Sequence, residues 1–149
     1  MTTTKKAKVS VANQRKFEQI WLDLQRVSHE ALAKATPPTP MIVGSPSTPL
    51  GNDIDYSKKT YFVADGVCGF AWVVVPNGRS AFAKWILETG KGYKHYQWGG
   101  GYKGVQFWVD GKGFAQTRQS LQLKEQVARG VSQHLNAIGI EAYADSRID

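Results

Sequence analysis

The chain has 149 residues, of which 42% are hydrophobic and 21% are charged, so it has room for one domain and is not mostly disordered. Nineteen Lys and Arg residues against twelve Asp and Glu residues give a net charge of +7, which favours an acidic partner. The longest apolar run, at residues 67–75, is too short to cross a bilayer, and no N-terminal signal pattern is present. We therefore expect a cytoplasmic protein, or one of a host cytoplasm or particle if it is viral, with no membrane partner.

The N-terminal segment is predicted to be a basic arm followed by a helix. Residues 1–12 contain no acidic residue and carry three lysines, Lys5, Lys6 and Lys8. Apolar side chains then recur at three- and four-residue steps across residues 13–35, a period typical of an amphipathic helix. Ser10 and Asn13 are both suitable N-cap residues for this helix.

A proline-rich segment separates this helix from the rest of the chain. Five of the six prolines lie between residues 37 and 49, and proline cannot continue the hydrogen-bond ladder of a helix. The helix must therefore end before residue 37. Residues 36–59 are predicted to be an extended connector that leads to the main domain, residues 60–149.

The main domain alternates between strand and helix patterns. Strands are predicted at residues 67–75, 93–98, 105–110 and 140–146, and helices at residues 80–89 and 120–138. The order β-α-β-β-α-β is that of a ferredoxin-like α+β fold, an antiparallel sheet with two helices on one face, here with an extra N-terminal amphipathic helix. In that fold the first and third strands are central, which agrees with the uniformly apolar first strand and the polar second strand.

Alternation along the strands assigns side chains to the two faces of this sheet. On the third strand, Val105, Phe107 and Val109 share the face toward the two helices, and Trp108 lies on the other face. Tyr143 of the last strand lies on that second face as well. The first strand is apolar at every position, so periodicity does not decide whether its contribution to the second face is Phe70, Trp72 and Val74 or the alternate set.

Two helices leave the second face of the sheet uncovered, and three occupants are compatible with the sequence. Single-stranded bases can stack on its aromatic rings, the N-terminal helix can fold back over it, or a second copy of the chain can cover it. The helix would use its apolar side chains for such a cover, namely Phe17, Ile20, Trp21 and Leu24.

The segment from residue 91 to residue 112 combines lysines, aromatic rings and glycines around a glycine-rich turn. Lysine neutralises phosphates, aromatic rings stack on bases and glycine lets a backbone approach closely, so this mixture is typical of nucleic-acid surfaces. We therefore predict a nucleic-acid site that comprises Lys91, Tyr93, Lys94, Tyr96, Trp98, Tyr102, Lys103, Trp108 and Lys112, with the lysines of the basic arm as further phosphate ligands. The alternative is a long hairpin whose lysines only keep it soluble.

Residues suited to catalysis or metal binding are few and scattered. His29, His95 and His134 have no second histidine or cysteine at metal-ligand spacing. The single cysteine, Cys68, excludes an internal disulfide and a Cys-based zinc site. We therefore nominate no catalytic residue, no metal and no cofactor.

The sequence favours a small basic module that binds single-stranded DNA or RNA without catalysis. A second hypothesis is a structural or interaction protein of a viral or bacterial assembly, which associates with itself or with a protein partner through its sheet face or its N-terminal helix. A third hypothesis is a small-ligand-binding protein or an enzyme whose reaction the sequence does not identify.

Overall fold

The computed structural model describes residues 9–97 and 99–149, and this part of the chain contains three helices and two antiparallel sheets. The protein is therefore of the α+β class. Its elements are, in chain order, α1 (Val11–Lys34), β1 (Met41–Gly44), β2 (Thr60–Val63), β3 (Gly69–Val75), α2 (Ala81–Glu88), β4 (Tyr93–Tyr96), β5 (Tyr102–Trp108), α3 (Leu121–Ala137) and β6 (Tyr143–Ile148). The arm lysines Lys5, Lys6 and Lys8, and Trp98 of the predicted nucleic-acid site, lie outside the described residues.

The larger sheet has four strands in the spatial order β4-β5-β3-β6, and each neighbouring pair is antiparallel. The prediction that the first and third strands of this unit, β3 and β5, are central is confirmed. Val73 lies at the middle of the sheet, opposite Phe107 on one side and Ala144 on the other. All three of these side chains belong to or pack against the hydrophobic core, so this register brings the core-facing side chains of the three strands together.

Each helix begins at a serine whose hydroxyl accepts a hydrogen bond from the backbone three residues later. These N-caps are Ser10 for α1, Ser80 for α2 and Ser120 for α3. A serine in this position satisfies one of the free N–H groups at the start of a helix. The structure therefore selects Ser10 rather than Asn13 as the N-cap of the first helix.

The last strand begins and ends later than the sequence predicts, at Tyr143 and Ile148 rather than at residues 140 and 146. The reason is a side chain of α3: the Asn136 amide donates to the carbonyl of Ala142 and accepts from its N–H, both at 2.9 Å. Residues 139–142 are thus held in the turn after the helix. The far end of β6 continues because Ile148 pairs with Gly69 at the start of β3.

Helix α1 lies on the same side of the large sheet as α2 and α3, and it packs mainly against α3. Trp21 joins α1 to the other parts of the core, since its ring lies 5.9 Å from Trp85 of α2, 4.8 Å from Phe107 of β5 and 5.2 Å from Phe114 between ring centroids. Ser28 adds a buried link, because its hydroxyl accepts from the Ala115 backbone at 2.9 Å. Of the three alternatives for the second face, the one in which the N-terminal helix covers it is therefore wrong, because the apolar side chains of this helix complete the core beside the other two helices.

The proline-rich segment contains more regular structure than the sequence predicts. Strand β1 lies inside it and pairs with β2 to form the two-stranded sheet, with Met41 opposite Val63 and Gly44 opposite Thr60. The start of the segment is fixed to α3, where Gln126 exchanges hydrogen bonds with the backbone N–H and carbonyl of Thr36. The segment is thus fixed to α3 at its start, and the rest of it supplies the first strand and the loop of a hairpin whose second strand is β2.

Candidate nucleic-acid interface

The face of the large sheet opposite the helices carries a cluster of aromatic side chains. On β3, Ala71, Val73 and Val75 enter the core, so the intervening Phe70 and Trp72 lie on the opposite face. Phe107 is fully buried while its neighbour Trp108 is 41% exposed, as alternation predicts for β5. Within the part of the chain that the structure describes, no helix packs on this face.

The rings on this open face touch one another. Trp108 meets Trp72 directly across the strand pair, with ring centroids 5.5 Å apart, and it meets Phe70 at 6.1 Å, both edge-to-face. Arg147 of β6 stands opposite Phe70 and places its guanidinium carbon 5.4 Å from the centre of that ring. We call these four residues, Phe70, Trp72, Trp108 and Arg147, the aromatic platform. Aromatic contacts of this kind hold the rings in fixed orientations while leaving their outer surfaces accessible.

A row of polar side chains borders the platform and covers Val74. Gln106 and Tyr143 are the cross-strand neighbours of Val74, and Val74 is completely buried although it lies on the open face. His95 of β4 connects them, with its Nδ1 2.9 Å from the Gln106 Oε1 and its Nε2 3.5 Å from the Tyr143 hydroxyl. Burial, and then the charge of Asp145, raise the pKa of Tyr143, so its hydroxyl stays protonated at neutral pH.

A groove of about 700 Å³ opens at the Trp108 end of the platform, between α1 and the loop that follows β5. Four of the predicted nucleic-acid residues line it, which are Lys91, Tyr93, Trp108 and Lys112. Residues far apart in the sequence supply the opposite wall, above all Trp21 and Gln25 of α1. The structure therefore brings part of the predicted site together in a place that the sequence did not indicate.

The other described residues of the predicted site remain on the β4–β5 ribbon. Tyr96 and Tyr102 contact each other with their ring centroids 6.3 Å apart, and the Lys94 ammonium group lies 5.6 Å from the centre of the Tyr102 ring. Lys103 is exposed beside them. Among the described residues, no acidic side chain forms an ion pair with any of the four predicted lysines, which are Lys91, Lys94, Lys103 and Lys112.

The glycines of the β4–β5 ribbon differ in their backbone conformation and in the space around them. A Cβ on Gly101 would meet nothing within 4 Å, so that position is open to solvent. Gly104 has a φ of +95°, and a Cβ there would collide with the carbonyl oxygen of Val75. Gly104 is thus required for the close approach of β5 to the end of β3, and only the tip of the turn leaves room for a ligand.

Two parts of the site were not found from the sequence. Arg147 was missed because the last strand was predicted to end at residue 146, although it continues the alternation of Tyr143 and Asp145. The groove was missed because α1 was not expected beside the loop after β5. No local pattern reports a contact between segments that are about ninety residues apart, such as the hydrogen bond from Gln25 to the Lys112 carbonyl.

Among residues 9–97 and 99–149, no helix is both long and apolar enough to traverse a lipid bilayer. No three His, Cys, Asp or Glu side chains among them are grouped so that they could hold a metal ion. Comparison of the chain with models of known protein families, with curated proteins and with solved structures finds no match.

Proposed function

We propose that this protein binds single-stranded nucleic acid, DNA or RNA, on the open face of its four-stranded sheet. The observation that carries the proposal is the aromatic platform, in which Phe70 and Trp108 are exposed side by side with Arg147 beside them. Every base has a flat aromatic surface, so exposed rings hold successive bases without selecting a sequence. Monomeric proteins rarely expose rings in a contiguous group unless the group binds something.

The positively charged side chains around the platform also favour a nucleic-acid partner. Arg147 lies on the platform itself, and Lys91 and Lys112 line the groove at its Trp108 end. None of these three forms an ion pair with a described acidic side chain, so their charges are available to phosphates. Lys94 and Lys103 extend the basic surface along the ribbon.

We also propose that strands β3 to β6 with α2 and α3 form a ferredoxin-like unit. The chain order β-α-β-β-α-β and the antiparallel pairing of every neighbouring strand support this assignment. Such a sheet has its helices on one side only, which leaves the other side for a ligand. The helix α1 and the two-stranded sheet are additions to this unit.

The proposed function is tested by titrating the full chain into a fluorescent single-stranded oligonucleotide at several salt concentrations. Each phosphate contact on a single strand contributes about −0.7 to the slope of log K against log salt, so three cations give a slope of about −2. Arg147→Gln is expected to reduce the magnitude of the slope by about 0.7. Lys84→Gln, on the exposed surface of α2, serves as the control and leaves the slope unchanged. Absence of binding at low salt contradicts the proposal.

A second candidate function, self-association in an assembly, is favoured by the hairpin of β1 and β2. Ile42 pairs with Phe62 and Val43 pairs with Tyr61, so the two pairs occupy opposite faces of the β1–β2 hairpin. All four side chains are between 44% and 72% exposed. A two-stranded ribbon is only marginally stable by itself, and apolar side chains on both faces suit a ribbon that is enclosed by a partner.

Light scattering over a range of protein concentrations tests this second candidate. We expect a mass above that of the monomer for the natural chain and the monomer mass for the double variant Ile42→Ser with Phe62→Ser. Replacing the exposed Leu22 of α1 by Ser is the matched control, because it removes a comparable apolar side chain elsewhere on the surface. A monomer mass for the natural chain at every concentration contradicts self-association.

A further inference from the structure

The groove beside Trp108 is continuous with the aromatic platform but differs from it in shape and charge. Trp108 lines this groove and also a shallower depression of about 290 Å³ that contains Phe70 and Arg147, so one ring joins the two surfaces. Tyr93 lies on the groove side as a second exposed ring. A volume of about 700 Å³ is within the range of pockets that enclose a small ligand, and is therefore ample for one nucleotide.

Two lysines that line the groove, Lys91 and Lys112, form no ion pair with a described acidic side chain. The Lys91 ammonium group lies over the rings of Trp85 and Trp21, at 5.4 and 5.9 Å from their centroids, which fixes its position without cancelling its charge. Asp110 also lines the groove, but its carboxylate already has partners: one oxygen accepts from the Lys124 ammonium at 2.7 Å and the other accepts from the Thr117 backbone at 3.1 Å.

The loop that carries Lys112 has an unusual backbone. Gly111, Lys112 and Gly113 have successive positive φ values of 74°, 51° and 93°, a conformation that costs a lysine about 1 kcal/mol or more. Helix α1 maintains it, because Gln25 donates to the Lys112 carbonyl at 3.2 Å and His29 donates to the Gly113 carbonyl at 3.0 Å. The amides of the three residues donate to no acceptor in the described chain. Runs of free amides in turns of this kind bind phosphate oxygens.

Helix α1 also contributes an acidic and an apolar side chain to the wall of the groove, Glu18 and Leu22. No described cation pairs with Glu18, so a phosphate that ran onward past the wall would meet an uncompensated negative charge. A groove that holds both these lysines and Glu18 suits a ligand whose phosphate ends beside the lysines.

We propose that this groove binds the phosphorylated terminal nucleotide of the strand, an inference that rests on the proposed function. The terminal base packs against Tyr93 and Trp108, and the terminal phosphate is held by Lys91, Lys112 and the free amides of the loop. The platform binds the nucleotides that follow. The chemistry that the groove recognises is a terminal phosphate, which either end of a strand can supply.

The test compares three oligonucleotides of the same sequence: one with a 5′-phosphate, one with a 3′-phosphate and one with hydroxyl groups at both ends. We expect the full chain to bind one phosphorylated form about tenfold more tightly than the hydroxyl form, because hydrogen bonds to a charged group are the stronger kind. Lys91→Met and Lys112→Gly are each expected to remove most of this preference. Methionine preserves the packing on the tryptophan rings, and glycine tolerates the positive φ, so both variants should fold.

The outcomes separate this inference from the proposed function. Equal binding of all three oligonucleotides overturns the terminal-phosphate site and leaves single-strand binding in place. A preference for one phosphorylated form that survives in both lysine variants also overturns it, since the groove is then not responsible. If none of the three binds at low salt, the proposed function fails and the inference fails with it. Lys84→Gln should keep the full preference.

Discussion

Replacing Trp108 by alanine is expected to weaken the binding of a single-stranded oligonucleotide by about 1–3 kcal/mol, roughly 5- to 150-fold in affinity. The physical reason is that Trp108 joins the platform to the groove, so its loss removes a stacking surface from both. Fluorescence anisotropy with a labelled oligonucleotide at fixed low salt measures the change.

Tyr56→Ala is the matched control for Trp108→Ala, because Tyr56 is an aromatic residue 71% exposed in the loop between β1 and β2, away from the platform. The Tyr56→Ala variant should bind the oligonucleotide with the same affinity as the natural chain. A similar loss in both variants would mean that binding depends on exposed rings in general. No loss in Trp108→Ala would remove the platform from the proposed site. Chemical unfolding of each variant shows whether the fold is intact.

Replacing Trp21 by alanine is expected to lower the free energy of unfolding by about 3–5 kcal/mol, a large fraction of the stability of a typical domain. Trp21 is 8% exposed and contacts rings from α2, β5 and the loop after β5, so the truncation leaves a cavity where three elements meet. Urea unfolding followed by circular dichroism measures the midpoint and the slope of the transition.

Leu22→Ala provides the comparison for this variant, since Leu22 is the next residue of the same helix and is 57% exposed. We expect its free energy of unfolding to change by about 0.5 kcal/mol or less. A small effect of Trp21→Ala would mean that α1 is an appendage rather than part of the core. A loss of cooperativity would mean that α1 unfolds separately from the sheet.

The helices and the central strands were predictable because their signals are local. The three-and-four-residue spacing of apolar side chains placed α1, α2 and α3 to within two residues of their observed ends. Along β5 the buried Val105 and Phe107 alternate with the more exposed Gln106 and Trp108, so one face was assigned correctly. Here each residue's local preference agrees with its place in the fold.

Other features of the fold depend on contacts that local patterns do not contain. Every position of β3 is apolar, so only the packed structure shows that Phe70 and Trp72 face away from the helices. The apolar stripe of α1 would fit either side of the sheet, and its position is decided by partners such as Phe107 and Phe114. Strand β1 has four residues among prolines, too few for a periodic signal.

For the candidate site, the sequence identified residue types better than it identified their arrangement. Lysines and rings near the ribbon were predicted as one surface, whereas Lys91 lies against the tryptophans of the helical layer and Lys94 against Tyr102 on the ribbon. Trp108 connects the groove that contains Lys91 to the aromatic platform, because it ends β5 at the point where the groove opens. Their shared role in binding a strand remains a prediction.

The pairing of α1 with α3 also determines when this protein can fold during its synthesis. Helix α1 leaves the ribosome well before its main packing partner α3, which begins at Leu121. The Phe17 and Trp21 side chains of α1 also stay exposed until their ring partners have been synthesised, which are Phe82, Trp85, Phe107 and Phe114. For a chain with such distant contacts we expect slow folding and a need for protection of the nascent helix.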